Sequence, residues 1–355
     1  MNKTQADKTA LLSKKNYKRK RSTLRELIER NRHSGGYLFR KNAGRWFVII
    51  IRGLLLFGLC FLILQPLLNK ISLSIMSESD LFDPTVQIIP RNLTNYNYVT
   101  TAMLLDYWPS LFRTFRMSLV IALFQVTSCT FVGYGFARFK FPLKNLWFMC
   151  VMILILVPPH TILSSLFIYF NNFDILGIIG LYRRITFGPD AGPLNLLGSP
   201  VPYLMMSATC MGLKNGLYIY MIRQYFRNVP KDIEEAAYVD GCGKFKTFYR
   251  IMLPDARAIL VSCFLFAFVW QWTDSIYSNL FLRHMNLLSR SVGSIDESLR
   301  HYFSETFGRN AFPSLGLSQQ MVATGMLMFI APLIILYLIA QKGFVESISQ
   351  SGIKM

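Results

Sequence analysis

Long apolar runs alternate with shorter polar segments along most of the chain. Six runs are long enough to cross a bilayer, because a hydrocarbon core of about 30 Å requires about 20 helical residues. They lie at residues 47–69, 114–136, 146–170, 202–225, 256–282 and 319–341. The pattern predicts an all-α polytopic membrane protein with six transmembrane helices, although Lys214 and Asn215 interrupt the fourth run.

The composition agrees with a membrane protein and indicates its first partner. Of the 355 residues, 52% are hydrophobic and only 16% are charged, with a mean hydropathy of +0.34. Soluble globular domains carry more charge, typically about 25%. Membrane lipid is therefore the first partner that the sequence predicts.

The distribution of charge predicts the orientation of the chain. The formal net charge is +19, and residues 1–46 carry fourteen Lys or Arg against three acids. We interpret this tail as a cytoplasmic, lipid-facing segment and not as a nucleic-acid-binding arm, because it adjoins a span and obeys the positive-inside rule. Short basic loops follow the second, fourth and sixth runs, so both termini are expected in the cytoplasm. The longer loops at about 70–111, 171–201 and 283–318 are expected outside.

These features divide the chain into four segments. They are a basic cytoplasmic tail at 1–46, a first transmembrane helix with an extracellular loop at 47–111, a five-helix core at 112–341 and a cytoplasmic tail at 342–355.

No residue pattern predicts catalytic, cofactor or metal chemistry. The six cysteines form no CxxC pair, and the four histidines are scattered without ligand spacing. The glycines of "DGCGKFKT" lack the GxxxxGK[ST] spacing of a phosphate-binding loop. We therefore expect no enzyme activity and no cofactor, with any ATP bound by a separate chain.

A compact charged segment, residues 229–254, lies between the fourth and fifth runs and contains "IEEAAYVDGCGKFKTFYRIMLP". Pro230 can start a helix, and the acids after it favour the positive end of the helix dipole. Asp240 and Gly241 predict a turn in which a side chain at the glycine would clash. A second helix is expected to present Phe245, Phe248, Tyr249 and Met252 as one apolar face and to end at Pro254. We call residues 229–254 the elbow.

The residues alone leave two interpretations of the elbow open. It is either an amphipathic tether to lipid headgroups or a protruding element that a partner grips. The segment closely resembles the EAA loop of bacterial ABC importer permeases, in Glu235-Ala236-Ala237, then Asp240-Gly241, then Ile251, Leu253 and Pro254. The stretches "IIPRNLTNYNYV", "GYGFARFKFPLKN", "FVWQWTDSIY" and "FVESISQSGIKM" are similar, in order, to the carbohydrate-uptake branch, in particular to the smaller permease of maltose-type systems.

The resemblance implies a type I ABC importer permease fold in a bacterial cytoplasmic membrane. Its EAA loop implies a coupling helix that docks on a cytoplasmic ATPase, with Glu235 pairing with a basic group and Gly241 permitting the turn. The implied coupling residues are Glu234, Glu235, Ala236, Ala237, Asp240, Gly241, Leu253 and Pro254. The implied partners are a second homologous permease, two ATPase chains, an extracellular solute-binding protein and a carbohydrate.

A second candidate site lies in "WQWTDS" near the end of the fifth run. Trp270 and Trp272 could stack on sugar rings while Asp274 accepts hydroxyl hydrogen bonds, which would place the three on a substrate path. The alternative for Asp274 is a structural hydrogen bond between helices.

The sequence thus predicts a non-catalytic permease subunit that imports a carbohydrate, specifically an oligosaccharide. The alternative is an importer for another solute, such as a polyol phosphate or an amino sugar. A membrane-embedded transferase would need a catalytic cluster that the sequence lacks, and a membrane scaffold would not need the elbow.

Overall fold

A computed structural model describes residues 37–86, 88–188 and 192–352. The described residues form helices and turns, and their only β-pairings are two isolated bridges, Met76 with Leu93 and Phe173 with Leu194. Most of the predicted tail at 1–46 and the last three residues of the chain lie outside the described residues. The chain divides into two compact units, residues 1–68 and 69–355.

One long helix, α1 (Tyr37–Ile75), contains all the described residues of the first unit, and its last residues, 69–75, belong to the second unit. Its residues from Gly44 onward have the length and hydropathy of a membrane span. The apolar side chains from Trp46 to Leu64 are exposed within their unit, as expected of a helix that faces lipid. Pro66 lies inside the helix, which membrane helices tolerate.

The second unit contains the other sixteen described helices. They are α2 (Glu78–Leu81), α3 (Tyr96–Leu104), α4 (Tyr107–Arg138), α5 (Lys144–Leu156), α6 (Leu163–Asn171), α7 (Ile178–Phe187), α8 (Val201–Ala208), α9 (Asn215–Asn228), α10 (Asp232–Val239), α11 (Lys244–Thr247), α12 (Leu253–Asp255), α13 (Arg257–Thr273), α14 (Ile276–Phe281), α15 (Leu288–Gly293), α16 (Ile295–Phe307) and α17 (Leu315–Gly352).

Helix α4 is the centre of this unit and packs against α8, α9 and α13. At Gly133 the backbones of α4 and α9 approach so closely that a Cβ atom would lie 2.9 Å from Cγ2 of Ile222. Buried side chains of α4, α9, α13 and the elbow form one apolar cluster, and a second cluster joins the start of α4 to α6, α8 and α14. The elbow therefore belongs to the same core as the long helices.

Three described helices have the length and apolar character of a span, namely Gly44–Ile75, Tyr107–Arg138 and Leu315–Gln341. Two bent helix pairs raise the number to as many as five, if each pair is counted as one span. The third predicted run is one of these, because the chain bends by 102° between Lys144–Leu156 and Pro159–Asn171. Pro158 and Pro159 cause this bend, since a proline cannot donate a helical hydrogen bond. The other pair joins Lys244–Asp255 to Arg257–Thr273 at 74°.

The fourth predicted run, 202–225, is divided between α8 and α9. At the break, Cys210 and Lys214 both adopt a left-handed backbone with φ of 62°. The interruption at Lys214 and Asn215 in the sequence thus marks a break in the helix.

The segments predicted as outer loops all contain helices. Helix α7 lies in the expected loop at about 171–201, and α15 and α16 lie in the one at about 283–318. In the first expected loop, the Asp80 carboxylate accepts hydrogen bonds from the backbone of Arg91 and Asn92 and from the Asn92 amide, at 2.7–2.8 Å. These bonds, of which that from the Asn92 backbone is the strongest, lower the pKa of Asp80 below its usual value.

Candidate functional site

The first half of the elbow is the short helix α10, which ends in a glycine turn. Gly241 has a φ of 78°, its N–H donates to the Tyr238 carbonyl, and the Cys242 N–H donates to the Ala237 carbonyl. These two bonds define a Schellman C-cap, in which a left-handed residue closes the helix. The predicted turn at Asp240 and Gly241 is confirmed.

The reason why glycine suits this turn differs from the one expected. A side chain at Gly241 would not clash, because a Cβ atom would meet nothing within 4 Å. The penalty for another residue comes from the left-handed backbone itself, which costs an L-residue about 1–2 kcal/mol.

Two adjacent glutamates of α10 have different environments. Glu234 is buried, and its Oε1 accepts a hydrogen bond of 2.8 Å from the Tyr134 hydroxyl and lies 3.3 Å from Arg138 Nε. The side chains of Glu234 and Arg138 are 9% and 5% exposed. Glu235 is exposed, and no ion pair or hydrogen bond to its carboxylate occurs within the described ranges. One acid therefore holds α10 to the end of α4, and the other is free to meet a partner.

The two alanines of the motif also separate. Ala237 is buried, whereas Ala236 is exposed beside Glu235. Val239 and Asp240 are exposed as well, with Val239 among the most exposed apolar side chains of the second unit. The outward face of α10 consists of Glu235, Ala236, Val239 and Asp240, and we call these four residues the tip.

The second half of the elbow runs through α11, a π-helical turn at Phe248–Met252 and α12. The expectation of a single apolar face was wrong. Phe248 and Met252 are buried, whereas Phe245 and Tyr249 are exposed. Residues four apart share a helix face, so 248 and 252 point into the core and 245 and 249 point away from it.

Pro254 does not end the second helix as expected. It lies in the first turn of α12, where its missing N–H is tolerated, and the chain bends only after Asp255. Leu253 and Pro254 line an open, mainly apolar groove of about 510 Å³, together with side chains of α4 and α13.

Tyr134 joins the two halves of the elbow to α4. Its ring centroid lies 4.6 Å from that of Phe248 and 5.1 Å from that of Phe226 on α9, and its hydroxyl donates to Glu234. Phe131, one turn earlier on α4, also contacts Phe248 at 5.5 Å. The elbow is therefore joined to α4 by both a polar and an aromatic contact.

Arg138 and Tyr134 were not predicted as site residues. Both lie in "GYGFAR", which the sequence presents as the end of an apolar run with a basic residue after it. The basic residue is itself a signal, because it is a charge at the end of an apolar run, but nothing local connects it to an acid 96 positions later.

The second candidate site is assembled differently from the expected substrate path. Asp274 is buried, and its oxygens accept hydrogen bonds from the Tyr203 hydroxyl, from Ser278 Oγ and from the backbone N–H groups of residues 276–278, at 2.9–3.3 Å. Trp272 is buried and donates to the Phe329 carbonyl at 3.2 Å. Trp270 is 44% exposed. Of the three residues, only Trp270 offers a surface to a solute.

Comparisons with known proteins agree with this architecture. The profile of the family described as "Binding-protein-dependent transport system inner membrane component" matches residues 129–349. The chain is 23% identical over 300 residues to an arabinooligosaccharides transport system permease protein from Halalkalibacterium halodurans, covering 83% of this chain and 93% of the relative. It is 22% identical over 313 residues to an sn-glycerol-3-phosphate transport system permease protein from Escherichia coli, covering 86% and 97%.

A solved structure has the same fold. It is a crystal structure of a bacterial ABC transporter involved in the import of the acidic polysaccharide alginate, matched with a TM-score of 0.58 and 18% identity over 84% of this chain and 97% of that one. The family profile spans more than half of the chain, from the second half of α4 through the elbow to α17. The chain belongs to the family of inner membrane components of binding-protein-dependent transport systems.

Proposed function

We propose that this chain is the permease subunit of an ABC importer that carries a carbohydrate, specifically an oligosaccharide, across a bacterial cytoplasmic membrane. The elbow is its EAA loop and couples it to ATP hydrolysis by a separate ATPase, so this chain performs no catalysis itself. Its partners are a second homologous permease, two ATPase chains and an extracellular solute-binding protein. The relatives named for arabinooligosaccharides and the structural neighbour that imports alginate support a saccharide substrate.

The contrast between Glu234 and Glu235 carries the coupling proposal. A tether to headgroups would need only an amphipathic surface, whereas this elbow fixes one acid to α4 and leaves the next one exposed on the tip. A carboxylate on a rigid support suits a basic group on a partner, since little freedom is lost on docking. Glu235, Ala236, Asp240 and Gly241 thus form the contact surface, while Glu234, Ala237, Leu253 and Pro254 support it.

We further propose the six-span arrangement, in which α8 and α9 together form the fourth span and both termini are cytoplasmic. The division of the chain into segments that end at residues 46, 111 and 341 follows from this arrangement. Cysteines introduced at Thr85 and Glu305 should react with an impermeant reagent from outside, and one at Phe245 only after permeabilisation. External labelling at 245 would contradict the arrangement.

The coupling proposal is tested by Glu235→Ala in the complete complex in nanodiscs. Loss of one partner of a docked charge pair should weaken ATPase binding by about 2–4 kcal/mol, which is at least tenfold in affinity. We expect reduced co-purification of the ATPase and reduced ATP hydrolysis in response to the loaded binding protein. Gly241→Val should act in the same direction, through backbone strain.

Glu297→Ala is the matched control, because Glu297 is also exposed and lies on α16 away from the elbow. It should leave both measurements unchanged. If Glu235→Ala and Gly241→Val both keep full ATPase binding and stimulated turnover, the elbow is a tether and the coupling proposal is wrong.

A polyol phosphate is the second candidate substrate, because one relative is named for sn-glycerol-3-phosphate. Uptake by the same reconstituted complex separates the candidates. Accumulation of arabinotriose or of an oligouronide supports a saccharide, and accumulation of glycerol 3-phosphate alone supports the alternative.

A further inference from the structure

The break between α8 and α9 exposes irregular backbone within a proposed span. Residues 209–214 are not helical, and Cys210 and Lys214 have a left-handed backbone. Non-helical backbone at membrane depth is stable only where protein buries it or where it lines a water-filled cavity. Cys210 is buried, but Lys214 is exposed.

Lys214 contacts the exposed tryptophan of the second candidate site. Its Nζ lies 4.8 Å from the centroid of the Trp270 ring, which is a cation–π contact. Lys214 lies just before α9 and Trp270 lies in α13, and both are exposed in this chain. They present an ammonium group and an indole ring on one surface.

Two helices independently give the depth of this pair. Lys214 immediately precedes the 14-residue helix α9, and the other end of α9 leads into the elbow. At a rise of 1.5 Å per residue, Lys214 therefore lies about 20 Å along the helix from the start of the elbow. Helix α13 begins at Arg257, shortly after the elbow, and Trp270 lies about 20 Å farther along this helix. In the proposed six-span arrangement, in which the elbow lies at the membrane surface, the pair therefore lies inside a hydrocarbon core of about 30 Å.

A charged lysine at that depth does not face lipid. Ionisable groups within a membrane face protein or water and pair with an opposite charge. In the ranges 37–86, 88–188 and 192–352, no carboxylate forms an ion pair with Lys214. Its counter-charge is therefore not among the described carboxylates.

Building on the proposed function, we propose that Lys214 and Trp270 form a contact site on the translocation path for an anionic saccharide. The indole face packs against a sugar ring, and the ammonium group moves from the indole to a carboxylate or phosphate of the solute. Trp272 and Asp274 hold the end of α13 in place and do not touch the solute.

The test measures ATP-driven uptake by the complete complex in proteoliposomes. Trigalacturonate is the carboxylate probe, glucose 6-phosphate is the phosphate probe, and arabinotriose is the neutral saccharide probe. Wild type should accumulate an anionic probe, Lys214→Met should reduce that uptake at least tenfold, and Lys214→Arg should retain most of it. Trp270→Leu should raise the apparent KM for the same probe about tenfold.

Two matched controls separate the site from general effects. Lys140→Met removes an exposed lysine in the loop after α4, and Trp108→Leu removes an exposed tryptophan near its start. Both should transport like wild type. Co-purification of the second permease and the ATPase should be the same for all variants.

Four results would overturn the proposal. Wild-type uptake of arabinotriose without uptake of either anionic probe would refute the anionic site and leave the carbohydrate function standing. Full anionic uptake by Lys214→Met would also refute it. Loss of the second permease from Lys214→Met would show that Lys214 is an assembly contact instead. Failure of wild type to take up any of the three probes contradicts both this proposal and the proposed function.

Discussion

Glu234 in the elbow and Asp274 after α13 are both buried carboxylates, but the structure stabilises them in different ways. Glu234 lies beside a buried cation, Arg138, and a hydroxyl, both from α4. Asp274 has no ion pair within the described part of the chain. Instead it accepts hydrogen bonds from the first N–H groups of α14 and from Tyr203 on α8.

The difference indicates two mechanical roles. Asp274 satisfies the free N–H groups at the start of the next helix, as a capping residue does, and its one distant donor is Tyr203. Its bonds therefore stabilise mainly its own segment. Glu234 bonds across about a hundred residues to the helix at the centre of the unit. Its contacts therefore determine where the whole elbow lies relative to α4.

The largest expected effect comes from breaking the pair at the elbow. Glu234→Ala leaves Arg138 buried without a counter-charge, which should destabilise the folded state by about 3–5 kcal/mol. Thermal unfolding of the purified chain in detergent should show a clear fall in Tm, and the ATPase should be lost from the complex.

A double-mutant cycle tests whether the charge pair is the cause. Arg138→Leu combined with Glu234→Leu removes both charges and should be more stable than either single variant, because no unpaired charge remains buried. If the two single effects simply add, the 3.3 Å contact does not contribute to stability and Glu234 acts through packing alone.

A smaller effect is expected at Asp274. Asp274→Ala removes the acceptor for Tyr203 and for the start of α14, which should cost about 2–3 kcal/mol in unfolding free energy. Tyr203→Phe removes a single donor and should cost about 1 kcal/mol. Because none of these bonds involves the elbow, both variants should still co-purify with the ATPase.

The comparison with Glu234 fails if Asp274→Ala also releases the ATPase at unchanged expression. That result would show that the end of α13 participates in coupling. Ser275→Ala is a suitable control, because it changes the neighbouring residue and leaves the donors to Asp274 in place.

The sequence predicts local features of the elbow well and its long-range contacts poorly. The left-handed turn at Gly241 and the short helix before it follow from Pro230, the acids and the Asp-Gly pair, which all act within a few residues. The contact of Glu234 with Arg138 depends on how α4 and α9 pack through Gly133. Apolar periodicity does not report such packing, so the sequence did not predict that Glu234 is buried against Arg138.

The same limit applies to the membrane runs. Apolar length located α1, α4 and α17, which are single helices. Apolar length did not reveal that the helix predicted at 146–170 bends at Pro158, or that the helix predicted at 202–225 breaks before Asn215. Membrane helices also tolerate proline and polar residues without breaking, so these residues alone do not predict a break. The break at Lys214 matters most, since it leaves a charged side chain exposed beside Trp270.

The smallest expected effect concerns a third carboxylate, Asp80, which lies outside the spans and accepts hydrogen bonds without an ion pair. Its pKa is lowered in the folded state by the bonds from Asn92 and Arg91. The stabilisation is therefore complete above the unfolded pKa of about 3.9 and is lost as the pH falls through the lower folded value. A spin label on Ile89→Cys, a highly exposed position in the same loop, should become more mobile below about pH 4.

Asp80→Asn should show that mobility already at pH 7, because an amide cannot accept the same set of bonds through both atoms. The Asp80→Asn loop should also respond little to acid. Asp83 is the control, since its pKa is also lowered, chiefly by the Thr85 hydroxyl. If Asp83→Asn abolishes the increase in spin-label mobility in acid and Asp80→Asn does not, then the hydrogen bonds of Asp83 to Thr85 hold the loop in place. Because Asp80 accepts its hydrogen bonds within its own loop, acid at a pH well below about 4 should loosen that loop without releasing the ATPase.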